Sequence, residues 1–218
     1  MAARDTRCGR LRPVQHLRPG DHAFVGYGDD EVRWEVVTAF VRLGPARGEK
    51  MLVLPSPGVP EDEVPARIDF PSRSTVRARE RGQLTGSSMR EVIAPDREFT
   101  AARQMSRLRA QTDRATAEGH TGLRAFTDMG WVRALGADVA VMAARETGAQ
   151  ALFSGHPYTE ICAYDRRGFD HTMLILARDA AGHERIEVRC DRGQRRLLRR
   201  LGAGTVSRLV LTEVVRAW

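Results

Sequence analysis

A three-layer α/β fold, with a mostly parallel sheet and helices on both faces, is what this sequence predicts. Three observations carry that reading. Short apolar runs of buried-strand character recur at 22–27, 50–54, 123–127 and 160–164. Stretches of helical periodicity separate them, and strand–helix–strand order gives parallel neighbours. The strands end in glycine, proline, aspartate or arginine, the residues that punctuate turns.

The elements follow in order. Residues 1–19 are polar and rich in Arg and Pro, and read as a flexible arm. His22–Tyr27 is the first strand, broken by Gly26, Gly28, Asp29 and Asp30. Residues 31–43 form a helix, because Val32, Val36, Val37, Phe40 and Val41 share one face. Lys50–Leu54 is the second strand. Residues 55–81 hold five prolines and many charges, and read as loops with a short helix. An edge strand is expected near 82–88, a helix over 97–118 and a strand over 123–127. A helix over 134–148, a strand over 160–164 and a helix from about Asp170 complete the repeat. Beyond 182, Arg185–Arg189 alternates like a half-exposed strand, 192–200 is strongly basic, and 206–215 is apolar and β-branched. This 183–218 extension either completes the sheet or forms a small appendage.

The 218 residues suit one domain with a small addition. The formal charge is +7, and nearly all the positive charge is arginine, since Lys50 is the single lysine. Arginine bias with abundant Ala and Gly reads as a GC-rich coding genome, which disfavours a nucleic-acid partner. The basic segment 192–200 has no interleaved aromatics and reads as a solvated face. Cys8, Cys162 and Cys190 show no paired spacing, and no CxxC occurs, so a reducing cytoplasm is expected. No signal-peptide core is visible at the N-terminus, and no run reaches the ~18 apolar residues of a membrane span.

The turn after the first strand occupies the position of a phosphate-binding loop. It reads Gly26-Tyr27-Gly28-Asp29-Asp30-Glu31, with no lysine and three consecutive acids. Helix-dipole attraction, worth up to about 2 kcal/mol, does not offset that repulsion. No ATPase chemistry is expected here, and the turn argues against a bound nucleotide.

Several residues are candidates for a site. Asp165 ends the 160–164 strand, where open α/β sheets hold ligands; capping the next helix is the plainer role. Asp128 and Trp131 end the 123–127 strand at the same edge. Trp131 suits an aromatic pocket wall or a core cover. With Leu135 as the zero angle, Glu146 falls at about 20° on its helix, near Val139 and Met142. A carboxylate on an apolar face needs a partner, unless the helix frays and Glu146 is solvated. His22 suits either a ligand-contacting role or the start of a strand. Tyr27 and Tyr164 complete a pocket of His22, Tyr27, Trp131, Glu146, Tyr164 and Asp165, in which Glu146 and Asp165 converge with His22 at the rim. Cys162 reads as a small buried residue. The histidines show no HxxxH spacing, so neither a metal nor a cofactor is indicated.

His16-Leu17-Arg18-Pro19-Gly20-Asp21-His22, Arg47-Gly48-Glu49-Lys50, Gly122-Leu123-Arg124, Asp128-Met129-Gly130-Trp131, Glu146 and Cys162-Ala163-Tyr164-Asp165-Arg166-Arg167-Gly168-Phe169 together resemble the MEDS sensory domain. The resemblance spans roughly 14–180, with the sensory unit drawn at 20–182. It implies a RecA/KaiC-like fold without the phosphate loop, and sensing of an apolar or hydrocarbon-derived ligand. Actinobacterial relatives pair the domain with anti-sigma kinase or antagonist modules, so a regulatory partner protein and a role in signal transduction or transcription regulation are implied. A homo-oligomer is compatible with it. The family's motif residues map onto His22, Asp128, Trp131, Glu146, Cys162, Tyr164 and Asp165. Arg145 stands where relatives often carry an aromatic. The alternative is a small enzyme of specialised metabolism using Glu146 or Asp165 with His22 as acid and base.

Overall fold

The computed structural model describes residues 11–60, 63–69, 73–86, 99–136, 139–153, 155–169 and 187–189. The strands are β1 (Leu11–Pro13), β2 (His22–Tyr27), β3 (Lys50–Leu54), β4 (Leu84–Gly86), β5 (Leu123–Asp128), β6 (Tyr158–Asp165) and β7 (Glu187–Arg189). The helices are α1 (Asp30–Ala46), α2 (Glu63–Asp69), α3 (Arg73–Glu80), α4 (Ala101–Ala117), α5 (Trp131–Ala134) and α6 (Val139–Phe153). The expected helix from Asp170, the basic run 192–200 and the apolar run 206–215 lie outside the described residues.

The sheet order is β1-β7-β2-β6-β5-β3-β4 and every pairing is parallel. β2, β6, β5, β3 and β4 form its body, and the three-residue β1 and β7 extend one edge. The four strands expected from the sequence are thus consecutive neighbours in an α/β frame. The 55–81 region contains two helices, α2 and α3, where one was expected.

Side-chain alternation divides the interior in two. Ala23, Val25, Met51, Val53, Phe126, Ile161 and Ala163 pack against Val36, Val37, Phe40 and Val41 of α1. Leu52, Leu54, Leu123, Ala125, Tyr158, Cys162 and Tyr164 pack on the other face with Leu108 of α4 and Met142, Ala149 and Leu152 of α6.

The flexible arm expected over 1–19 is corrected from Leu11 onward. Leu11–Pro13 is a strand, and Val14 and Leu17 are fully buried. The cause is polar. Arg47 donates to the carbonyls of Gln15 and Leu17. Arg124, buried in mid-strand, donates to Leu17 O at 3.2 Å and makes a bidentate pair with Glu49 at 2.5 and 3.2 Å. Buried charges persist when paired and fully hydrogen-bonded.

The three acids after β2 each have structural work. Asp29 caps α1 by accepting from Glu31 N at 2.7 Å, an N-cap that stabilises a helix by ~1 kcal/mol. Asp30 pairs with Arg167 at 2.8 Å and Glu31 with Arg67 at 3.1 Å.

β3, β5 and β6 close together at Gly122. Its carbonyl accepts from Lys50 N, and a Cβ there would lie 2.2 Å from Pro157 O. Backbone cannot yield cheaply, so Gly122→Ala will lower unfolding free energy by about 1–3 kcal/mol in urea titration. Gly86→Ala, which meets nothing within 4 Å on the edge strand, will stay within ~0.5 kcal/mol of the parent.

Candidate functional site

Two polar sites emerge, one on each face of the sheet. The first is a cleft of about 350 Å³ at the carboxyl edge of β2, β5 and β6, lined by Tyr27, Arg33, Ser56, Asp128, Arg133, Asp165 and Phe169, among others. Its floor is Asp128, buried at the end of β5. Asp128 accepts from the Tyr27 hydroxyl at 2.8 Å and from Gly130 N at 2.9 Å, and the Arg33 guanidinium stands 3.6 Å away. Burial raises the Asp128 carboxyl pKa, against the lowering pull of Gly130 N–H, Tyr27 and Arg33. Burial and the Asp128 charge together push Tyr27 far above the ordinary tyrosine value.

Asp165 stands on the rim. It accepts from Arg167 Nε and backbone N, both at 2.9 Å. Burial acts to raise its pKa, but those hydrogen bonds and the Arg167 charge outweigh it, and the net direction is down. Asp165 therefore closes the β6 loop as well as facing the cleft.

The second site is buried on the α4–α6 face. Register sets His22 of β2 beside Glu160 of β6, and Thr127 of β5 beside Cys162. α6 contributes Arg145 and Glu146. All six are buried, Arg145 completely. His22 Nε2 lies 3.1 Å from Cys162 Sγ and 3.2 Å from Glu146 Oε2. Arg145 Nη1 donates to Glu146 Oε1 at 2.9 Å and to Cys162 Sγ at 2.7 Å, while Nη2 pairs with Glu160. The Tyr164 hydroxyl donates to Glu146 Oε1 at 2.8 Å, and Thr127 Oγ1 donates to Glu160 Oε1 at 2.6 Å. Burial pushes the Cys162 thiol and the Tyr164 hydroxyl upward. Burial would lower Arg145, but Cys162, Glu160 and Glu146 overcome this and raise it.

These placements correct the expectation of one shared pocket. Tyr27, Asp128 and Asp165 line the cleft. His22, Glu146 and Tyr164 meet in the buried network. Trp131 is fully buried against Phe99, with ring centroids 4.5 Å apart, and is core rather than a cleft wall. The reason is strand alternation: Tyr164 and Asp165 are consecutive and point to opposite faces. The Leu135 reference also fails. Leu135 follows α5, is 41% exposed and lies outside α6. Glu146 nonetheless shares a buried face with Met142.

Sequence reasoning missed Arg33, Ser56 and Arg133 in the cleft, and Thr127 and Glu160 in the network. Glu160 carried a readable signal, a carboxylate directly before the apolar and aromatic run Ile161-Cys162-Ala163-Tyr164 of its strand. The Arg47–Glu49 and Arg124 motif pieces hold the N-terminal segment and do not reach the cleft.

A family model described as "MEthanogen/methylotroph, DcmR Sensory domain" matches residues 21–180. The chain belongs to the MEDS family. That family is described as a sensory domain. No curated protein matches the chain. Among solved structures, it is similar to the flagellar accessory protein FlaH from Methanocaldococcus jannaschii, at 12% identity and a TM-score of 0.46, over 76% of this chain and 70% of that one. No helix among the described residues is long and apolar enough to cross a membrane.

In the buried network, Arg145→Met leaves two carboxylates without their guanidinium. Loss of one partner of a buried pair costs about 3–5 kcal/mol. Urea unfolding will show that loss, and adding Glu160→Gln to the variant will recover part of it. In the cleft, Asp128 has a folded-state pKa above its unfolded value. Its stabilising contribution is therefore present at low pH and lost as pH rises through the folded pKa. Asp128→Asn removes that dependence, so the variant's stability relative to the parent will increase from the ordinary carboxylate range toward neutrality, read as urea midpoints across a pH series.

Proposed function

We propose that this MEDS protein senses a small hydrocarbon-derived molecule with a polar head, bound in the carboxyl-edge cleft. The observation that carries this reading is the cleft itself, with Asp128 buried at its floor between Tyr27 and Arg33. A volume of about 350 Å³ lies at the low end of small-molecule sites, roughly 300–1,000 Å³. Pro57, Ala134 and Phe169 offer apolar contact to a short carbon body. Arg33, Arg133, Ser56 and Asp128 suit a hydroxyl or carboxylate head. A wholly apolar ligand would leave these polar groups unmatched, which favours the oxygenated derivative over the hydrocarbon.

Under this reading residues 20–182 are the sensory unit, and the 183–218 extension is its neighbour on the output side. Occupancy is transmitted to a regulatory partner protein of the anti-sigma or kinase class through the Ser56–Gly58 and Gly130–Ala134 segments that line the cleft. Of the acid–base alternative, the Asp165–His22 pairing loses its basis, because His22 meets Glu146 at 3.2 Å in the buried network and does not line the cleft with Asp165.

Amide NMR of the full chain, titrated with short-chain alcohols and carboxylic acids, tests this reading. The expected shifts concentrate at Ser56, Gly58, Gly130 and Ala134. Arg133→Ala weakens binding about tenfold, or ~1.4 kcal/mol, while Glu146→Gln leaves it unchanged. Shifts confined to other surfaces, or no saturable shifts with either series, count against the cleft.

A further inference from the structure

The buried network has the composition of a metal centre. His22, Glu160 and Cys162 each offer a donor atom, and these atoms all lie within 4.8 Å of one another. They come from two adjacent strands, and His22 and Glu160 stand 138 positions apart in sequence, beyond any spacing motif. Glu146 Oε2, 3.2 Å from His22 Nε2, stands beside that group of three. A tetrahedral centre with bonds of about 2.0–2.3 Å separates its donors by about 3.3–3.6 Å. The distances of 3.1 Å from His22 to Cys162 and 3.2 Å from His22 to Glu146 are a few tenths of an ångström short of that spacing.

The two carboxylates are divided in a way that suits ligation. Glu146 Oε1 is held by Tyr164 and Arg145, and its Oε2 turns to His22. Glu160 Oε1 is held by Thr127 and Arg145, and the Tyr158 hydroxyl hydrogen-bonds the same carboxylate. Orienting one oxygen from outside while the other binds is the usual outer arrangement around a protein-bound metal.

Charge points the same way. One guanidinium faces two carboxylates, so the network is one positive charge short unless His22 is protonated. A divalent cation with a Cys162 thiolate and neutral His22 also balances. Two carboxylates and a thiolate then oppose a guanidinium and the doubly charged ion. Arg145, now 2.7 Å from Cys162 Sγ, gives up that contact and keeps Glu160. The Cys162 proton passes to solvent as the thiol binds, since a coordinating thiol is deprotonated.

We propose that His22, Glu160 and Cys162, with Glu146 beside His22, bind a thiolate-accepting divalent cation of the zinc class, with Arg145 standing in for the cation when the site is empty. The mix of imidazole, thiolate and carboxylate suits zinc or cobalt rather than magnesium or calcium. The site lies on the face opposite the ligand cleft, so its failure leaves the sensing proposal untouched.

The test uses the full chain expressed with zinc or cobalt in the medium, because a fully buried site is best filled as the protein folds. Elemental analysis after gel filtration should find one metal per chain. The cobalt form should show a thiolate-to-cobalt charge-transfer band that is lost in Cys162→Ser and retained in Cys8→Ser and Cys190→Ser. X-ray absorption of the zinc-loaded parent reads the donors without any substitution and should find one sulfur with nitrogen and oxygen neighbours. The proposal is overturned by substoichiometric metal, by coordination without sulfur, or by a band that follows Cys8 or Cys190.

Discussion

Strand β6 governs this molecule, because its eight residues must serve two different faces. It lies between β2 and β5 in the sheet, and seven of its residues are buried. Alternation sends Glu160, Cys162 and Tyr164 toward α6, while Ile161 and Ala163 pack toward α1. Asp165, the last of the strand, emerges in the carboxyl-edge cleft. A shift of one residue in register would exchange the two sets. The neighbouring strands obey the same constraint, so Tyr27 and Asp128 arrive beside Asp165, and His22 and Thr127 arrive beside Glu160 and Cys162.

Ionic groups on both faces are buried only in company. On the α1 face Arg124 is matched by Glu49 and by the Leu17 carbonyl, which ties the chain before β2 to the sheet. On the other face Arg145 joins α6 to β6 through Glu160 and Cys162. Replacing such ions with apolar residues of equal volume is often neutral or stabilising. Their value here is in position: each ion pair connects segments far apart in sequence, so it selects one arrangement of helix upon sheet.

The same economy explains the first βα turn. Its acids cap α1 and pair with Arg167 and Arg67, so the helix N-terminus that other folds offer to phosphate is already engaged. The cleft lies across the ends of β2, β5 and β6, where Arg33 and Arg133 supply positive charge next to a buried carboxylate. The cleft and the buried network touch through Phe169, which lines the cleft and meets Tyr164 edge-on with ring centroids 5.4 Å apart.

The sequence by itself determined the strand–helix alternation, the parallel neighbours and the edge at which Asp128 and Asp165 emerge. These follow from local hydrophobic period and turn chemistry, which act over a few residues. It also marked Glu146 as a carboxylate on an apolar helix face, although the helix begins after Leu135 and not before it. Only the tertiary structure decided that His22 and Glu146 meet each other and not Asp165, that Trp131 belongs to the core, and that Leu11–Leu17 is anchored. Those outcomes depend on which strands are adjacent and in what register, and on ion pairs such as Arg124–Glu49, 75 residues apart. No local pattern encodes that information, because each partner's environment exists only once the sheet has closed.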